Sequence, residues 1–257
     1  MNRRIRLTWL GPDPHAPFPP VTAALSDPNG LLAGGGDLHP ERLLNAYRRG
    51  IFPWFSEGEP ILWWCPGPRA VFRTDTWRPA MRFLRELRRS GWTVSADTDF
   101  DTVIAHCADT PRPGQGGTWI VEPMRQAYSL LHRLGHAHSI EVRHGEALVG
   151  GLYGLSIGRM FFGESMFSLR SGGSKAALAA LTLRLREWGF PLIDCQVENP
   201  HLHRLGAGLM PLNTFLCEVQ RLCEQPGRPG PWTGAFGTLC GEDIASALRP
   251  ASSALPG

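Results

Sequence analysis

Between Leu148 and Asn199 two glycine-punctuated apolar segments, a helix and a third apolar segment follow one another, an order that few folds accommodate. Leu148 to Ile157 and Arg159 to Phe162 are punctuated by Gly150, Gly151 and Gly154 within the first and by Gly158 between them, as in strands whose backbones bend or come close to a ligand. From Lys175 the residues become strong helix formers, with Ser174 as the expected N-cap and Gly189 as the stop. Pro191 to Val197 reads as a strand again. Alternate strand side chains share a face, so Asp194 and Gln196 are expected to point one way and Ile193, Cys195 and Val197 the other. An edge strand with one solvated face gives the same alternation, and that reading stays open. Glu164, in an expected Gly163-Glu164-Ser165 turn, favours a site: a strand–helix–strand crossover brings its two strands together, so their polar residues can line one cleft.

The chain has 257 residues, 42% of them hydrophobic, enough for one large or two modest domains with a buried core. No run reaches the roughly 20 apolar residues of a membrane span. The start, Met1 to Pro12, is basic but its apolar part is too short for a signal peptide, so a cytosolic protein without membrane attachment is expected. The six cysteines form no Cys-x-x-Cys pair and read as reduced thiols. Net charge is only +3, and Lys175 is the one lysine, so arginine dominance counts toward nucleic acid only where it clusters.

It clusters once. Between Trp77 and Gly91 a helix is expected with Arg78, Arg82, Arg85 and Arg89 on one face and Met81, Leu84 and Leu87 on another. An arginine row suits a phosphate backbone, and a solvated helix face is the plainer account. Upstream, the proline-rich stretch to Ser26 reads as an extended arm, and Pro40 opens a helix running to Gly50. Gly34-Gly35-Gly36 lacks the strand and spacing of a nucleotide fingerprint and reads as a turn. The aromatic cluster around Trp54, Trp63 and Trp64 reads as packing for Trp63, with Trp54 the better candidate to face a cleft and stack on a terminal base. His136 and His138 would share a strand face, but no third ligand has convincing spacing, so no metal is expected.

Gly163-Glu-Ser-Met-Phe-Ser168, Ser174-Lys175, Leu192-Ile-Asp-Cys-Gln-Val197 with Asn199 and His201, and upstream Ala46-Tyr47, Gly50 to Phe55, Ile61 to Trp64, Pro68-Arg69-Ala70, Gly117 to Ile120 and Gly135 to Val142 stand together in one order. In that order they resemble the bacterial leucyl/phenylalanyl-tRNA–protein transferases, from about Asn29 to Phe215. The resemblance implies an α+β or α/β chain: a small N-terminal lobe over residues 1–62 and a GNAT-like (acyl-CoA N-acyltransferase-like) domain with a mixed central sheet over 63–224. Outside it, residues 225–257 are rich in proline, glycine, serine and alanine and read as a mobile tail. It implies transfer of Leu, Phe or, less well, Met from aminoacyl-tRNA to the N-terminal amine of proteins or peptides beginning with Arg or Lys, marking them for degradation. No cofactor is implied, and a monomer is expected.

Carried onto this chain, the family's catalytic pair is Asp194 and Gln196, Asp194 hydrogen-bonding and polarising the Gln196 amide. A neutral amide is a weak base, so Gln196 is read as positioning the amine. Glu164 is the expected acceptor-binding carboxylate, suited to a guanidinium or ammonium. Trp54, Trp119, Phe161, Gly163, Met166, Phe167 and Ile193 are the expected donor pocket, although Ile193 opposes Asp194 on the strand. The arginine row is the expected tRNA-binding surface. Three rivals remain: an acyl-CoA-dependent N-acyltransferase, whose pyrophosphate loop Gly172 to Lys175 only faintly suggests; a non-catalytic RNA-binding protein; and a cysteine hydrolase built on Cys195 with His201 or His203.

Overall fold

The structure, a computed structural model, describes residues 7–110 and 120–249. The N-terminal lobe comprises β1 (Thr8–Leu10), β2 (Leu31–Gly35), α1 (Pro40–Tyr47), β3 (Phe52–Pro53) and β4 (Leu62–Trp64), its strands ordered β1-β2-β4-β3. Pro40 opens α1, where its missing N–H costs nothing. Its cap is His39, whose Nδ1 accepts from the Glu41 N–H while Asp37 accepts from His39.

The second sheet is built from β5 (Arg69–Arg73), β6 (Thr93–Ala96), β7 (Ala137–His144), β8 (Ala147–Ile157), β9 (Met160–Ser168), β10 (Leu192–Asp194), β11 (Gly208–Met210) and β12 (Leu239–Cys240). Its order is β11-β5-β10-β9-β8-β7-β6-β12, and only β9 and β10 pair in parallel, so the sheet is mixed. The connection between that pair is the expected helix, α5 in the order α2 (Met81–Arg88), α3 (Phe100–Asp109), α4 (Glu122–Arg133), α5 (Gly173–Glu187), α6 (Pro200–Leu205), α7 (Leu212–Cys223), α8 (Thr233–Phe236) and α9 (Gly241–Ala247). Its N-cap is Gly172, in the left-handed region that glycine adopts freely, rather than Ser174; the Ser174 N–H donates to Ser168 Oγ instead.

Two apolar clusters cover the two faces of this sheet. One joins Leu43, Tyr47, Ile51 and Trp63 of the N-terminal lobe to Phe162 of β9 and to the buried sides of α3, α4 and α7. The other joins Phe161 and Ile193 to the helices α2, α5, α6 and α9. Because the first cluster runs without a break from lobe to sheet, the lobe is packed onto the sheet rather than tethered to it. The expected boundary at residue 62 falls inside β4, whose Trp63 and Trp64 pair with β2 and β3.

The expectation of a mobile tail fails for its described part. Trp232 is buried, its ring stacked on His138 at 3.8 Å, and its backbone N–H donates to Asp97 Oδ2 at 2.7 Å. Phe236, Leu239, Ile244 and Leu248 fill the second cluster. A few large apolar side chains among many small residues suffice to hold such a segment, since each fully buried Leu, Ile or Phe is worth roughly 1.5–3 kcal/mol. Among the described residues no helix is long and apolar enough to cross a membrane.

Candidate active site

Glu164 stands in β9, not in the turn expected of Gly163-Glu164-Ser165. Gly154 is opposite Gly163 and Tyr153 opposite Ser165, so Glu164 is the extra residue of a β-bulge. The bulge reverses the strand's alternation: Phe162 and Phe167 share a cluster although an odd separation would put them on opposite faces, and Phe161 lies in the other. Gly154 permits it, because a Cβ there would meet the Phe162 carbonyl oxygen at 2.2 Å. The result aims the Glu164 carboxylate toward the lobe-side helices.

Tyr47, in the last turn of α1, donates its hydroxyl to Glu164 Oε1 at 2.7 Å, and Tyr128 of α4 donates to Oε2 at 3.1 Å. The two hydroxyls also bond to one another. Gln196 Nε2 donates to Oε1 at 3.1 Å. Glu164 is half-buried, yet burial of its carboxyl pushes it up to about 7. The two hydroxyl donors pull it back, the charge of Asp194 adds to the rise, and that of Arg69 opposes it. Burial also drives both tyrosines well above the ordinary phenol range, so neither supplies a phenolate at neutral pH.

Asp194 and Gln196 are held differently from the strand reading. Strand β10 ends at Asp194, and Gln196 adopts a left-handed backbone with φ +55°. Asp194 Oδ1 accepts from the Gln196 backbone N–H at 3.0 Å, so the carboxylate orients the main chain and does not polarise the side-chain amide as expected. Both its oxygens receive Arg69 of β5: Nε to Oδ1 at 3.1 Å and Nη2 to Oδ2 at 2.6 Å. The pair is fully buried, and Arg69 also donates to the Gly50 carbonyl at 2.9 Å while lying over the rings of Phe52 and Phe215. Strand β10 lies between β5 and β9, which removes the edge-strand account of its polar residues.

The expected donor pocket is divided. Phe161 and Ile193 are core residues of the second cluster, and Met166 packs half-buried against them. Phe167 lies in the first cluster, its ring stacked on His106 at 4.9 Å. Gly163 lies nearest the site, where a Cβ would have only ordinary contact, 3.6 Å from the Asp194 carbonyl oxygen. Trp54 is half-buried beside Trp64 in the N-terminal lobe, and Trp119 lies outside the described residues. Arg82 and Arg85 project from α2, Arg78 precedes the helix and Arg89 caps its end; all four are exposed. Met81 is exposed as well, its place in the buried stripe taken by Phe83.

Among the described residues no group of His, Cys, Asp and Glu side chains could hold a metal ion. Burial lowers the His138 pKa, with Asp97 pulling the other way through its 2.9 Å contact to Nδ1. Cys195 is raised well above its usual range, chiefly by burial, which ill suits a nucleophile.

Tyr47, Tyr128 and Arg69 escaped sequence reasoning as site residues. A signal existed for the tyrosines: the chain has three against 12 Phe and 9 Trp, and a hydroxyl at an otherwise apolar helix position needs a partner. For Arg69 the signal was a charge entering an apolar strand.

The family model described as "Leucyl/phenylalanyl-tRNA protein transferase" matches residues 71–220, and that for the family's N-terminal domain matches residues 36–67. The leucyl/phenylalanyl-tRNA–protein transferase of Xanthomonas euvesicatoria pv. vesicatoria (strain 85-10) is 64% identical over 243 residues, 95% of this chain and 96% of that protein. The protein of the same name from Xylella fastidiosa (strain M23) is 57% identical, over 91% of this chain and 97% of its own length. Among solved structures, that of L-PGS from Bacillus licheniformis is similar at a TM-score of 0.40 and 13% identity, over 62% of this chain and 65% of that one, too slight a likeness to bear on the argument.

Proposed function

The chain belongs to the leucyl/phenylalanyl-tRNA–protein transferase family, and from that premise we propose how it carries an aminoacyl group from tRNA to protein. The donor is leucyl- or phenylalanyl-tRNA, with methionyl-tRNA weaker, and the acceptor is the N-terminal amine of a protein beginning with Arg or Lys, the product being marked for degradation. Glu164 holds the acceptor's cationic side chain. The single observation behind this reading is the 3.1 Å contact between Gln196 Nε2 and Glu164 Oε1, which joins an amide just past the end of β10 to a carboxyl on β9.

With its N–H groups turned to Glu164, Gln196 presents its amide oxygen to the α-amine, which has to lose a proton near pH 8 before it attacks the ester carbonyl. The departing ribose oxygen takes up a proton, so the step needs no cofactor: a C–N bond forms, the C–O ester bond breaks, and the proton passes from amine to ribose through water or the ribose hydroxyls. Asp194 is a positioning residue in this scheme, holding Gln196 in its left-handed conformation through the main chain. Gly163 and Met166 border the donor side chain, and Phe161 and Ile193 form the packed layer behind Met166 that rejects branching at Cβ; each methyl misplaced there is worth about 1–3 kcal/mol. The exposed arginines of α2 receive the acceptor-stem phosphates.

We also infer that the eight-stranded sheet is GNAT-like, on the strength of its single parallel pair joined through α5, that the domain boundary lies between residues 67 and 71, and that the protein works as a cytosolic monomer. The test is to incubate the protein with an Arg-starting peptide and either leucyl-tRNA or acetyl-CoA. Leucine should be added to the peptide in the first case and nothing in the second. Acetylation, or no transfer with either donor, would overturn the reading.

A further inference from the structure

The contacts of Tyr47, Tyr128 and Glu164 close into a triangle: hydroxyl to hydroxyl, Tyr47 to Oε1, and Tyr128 to Oε2. A tyrosine hydroxyl carries one hydrogen and an ionised carboxylate none, so two hydrogens have to serve three oxygen–oxygen contacts. The amide N–H of Gln196 is spent on Oε1 from outside and cannot fill the gap. Without a third hydrogen, one edge of the triangle would press lone pairs together in a buried setting, where an unmet contact is costly.

We propose that Glu164, Tyr47 and Tyr128 form a three-oxygen ring closed by a proton on Glu164 in the empty enzyme, and that the acceptor's cationic side chain expels this proton to solvent as it binds. The inference rests on the reading of Glu164 as the acceptor carboxylate. The Glu164 O–H bond breaks, the proton passes to water or buffer, and the carboxylate charge that appears is matched by the arriving guanidinium or ammonium.

The groups around the ring agree. Glu164 is faced by Tyr47 from α1, Tyr128 from α4, and Gln196 and Asp194 from the end of β10. Cys195 stands between those two, Arg69 on β5 is already bound to Asp194, and Tyr153 of β8 backs Tyr128 at 5.7 Å between ring centroids. Arg69, the cation whose charge bears on Glu164, is thus committed to another carboxylate, and the rise of Glu164 to about 7 places its titration where a bound cation can reverse it. Acceptor affinity then weakens by about tenfold for each pH unit below the Glu164 midpoint, since one proton is exchanged for one cation.

The direct measurement is carbon NMR of protein labelled at the glutamate δ-carbon, with the Glu164 signal identified by its absence in Glu164→Gln. In the empty protein this signal should move from acid to carboxylate around pH 7, and at pH 6 an Arg-starting peptide at saturation should bring it to the carboxylate position. A Glu164 signal already at the carboxylate position at pH 6 without peptide, or one that keeps its acid position with peptide bound, overturns the inference. The acceptor reading fails separately, if Glu164→Gln keeps the wild-type KM for that peptide at pH 8.

Discussion

Both oxygens of Asp194 are occupied, by Arg69 and by the Gln196 backbone N–H, so one substitution there disturbs a buried ion pair and the posture of Gln196 together. Asp194→Asn should cost about 3–5 kcal/mol, because it leaves the Arg69 guanidinium buried without its counter-charge. Replacing the pair by Arg69→Met with Asp194→Leu removes both charges and should return most of that stability, measured by urea unfolding, while transfer stays at least tenfold down because the Gln196 N–H has lost its acceptor. Recovery of transfer in the double variant would mean that Asp194 serves only the fold. Glu164 acts on stability in the other sense. Its folded pKa is raised from 4.5 to about 7, so what it contributes is complete below 4.5 and is lost as pH rises through 7. Glu164→Gln should therefore gain in Tm over the wild type between pH 5 and pH 8, and an unchanged difference would contradict the raised value. The residue types Asp, Gln and Glu were legible because polar side chains interrupt apolar runs; the bonds among them were not, since Tyr47 and Tyr128 reach Glu164 from 117 and 36 positions away.

At the scale of elements, periodicity located α1, α5 and the strands around them, and failed where one residue changed the count. A bulge shifts every later side chain of β9 to the opposite face, which is why Phe161 and Phe167 could be taken as one pocket wall and prove to belong to different clusters. The C-terminal segment misled for another reason: its proline and glycine content reads as disorder, whereas its packing rests on a few large side chains. That segment backs the arginine helix. Leu239 and Cys240 pair with β6, Glu242 bridges to Arg88, and a Cβ at Gly241 would stand 2.4 Å from the Leu87 carbonyl oxygen of α2. Gly241→Val should push α9 away from α2, raising the KM for aminoacyl-tRNA several-fold while leaving transfer from a bare 3′-aminoacyl adenosine, which has no stem to grip, near normal. Arg82→Gln and Arg85→Gln should each lower the salt dependence of tRNA binding by about one unit of slope, with kcat at saturation unchanged. If the slope is unaltered, α2 is simply a solvated helix face.

The whole molecule closes its site between parts that the sequence presents as separate domains. Tyr47 comes from the N-terminal lobe, Tyr128 from α4, Glu164 and Gln196 from the central crossover, and Arg69 bonds the Gly50 carbonyl of the lobe while holding Asp194 of the sheet. The apolar cluster beneath them is shared in the same way, with Leu43 and Trp63 of the lobe fully buried in company with Phe162 and Phe215. Composition and motif order suggested two units because they report what each segment buries, not what it is buried against. Lobe and sheet that bury one core have no route to unfold singly without exposing that core, so the protein should melt in one transition, its calorimetric enthalpy equal to the van't Hoff value. Leu43→Ala, a change confined to α1, should lower that single Tm by an amount corresponding to about 2–5 kcal/mol and should not split it. A separate low-temperature transition in the variant would show that the lobe is an independent unit, and the contacts of Tyr47 with Tyr128 and Glu164 would then have to assemble on docking. A single transition leaves the tyrosines of α1 and α4 fixed over Glu164 before any substrate arrives, which is the preorganisation that a site built on a weakly basic amide requires.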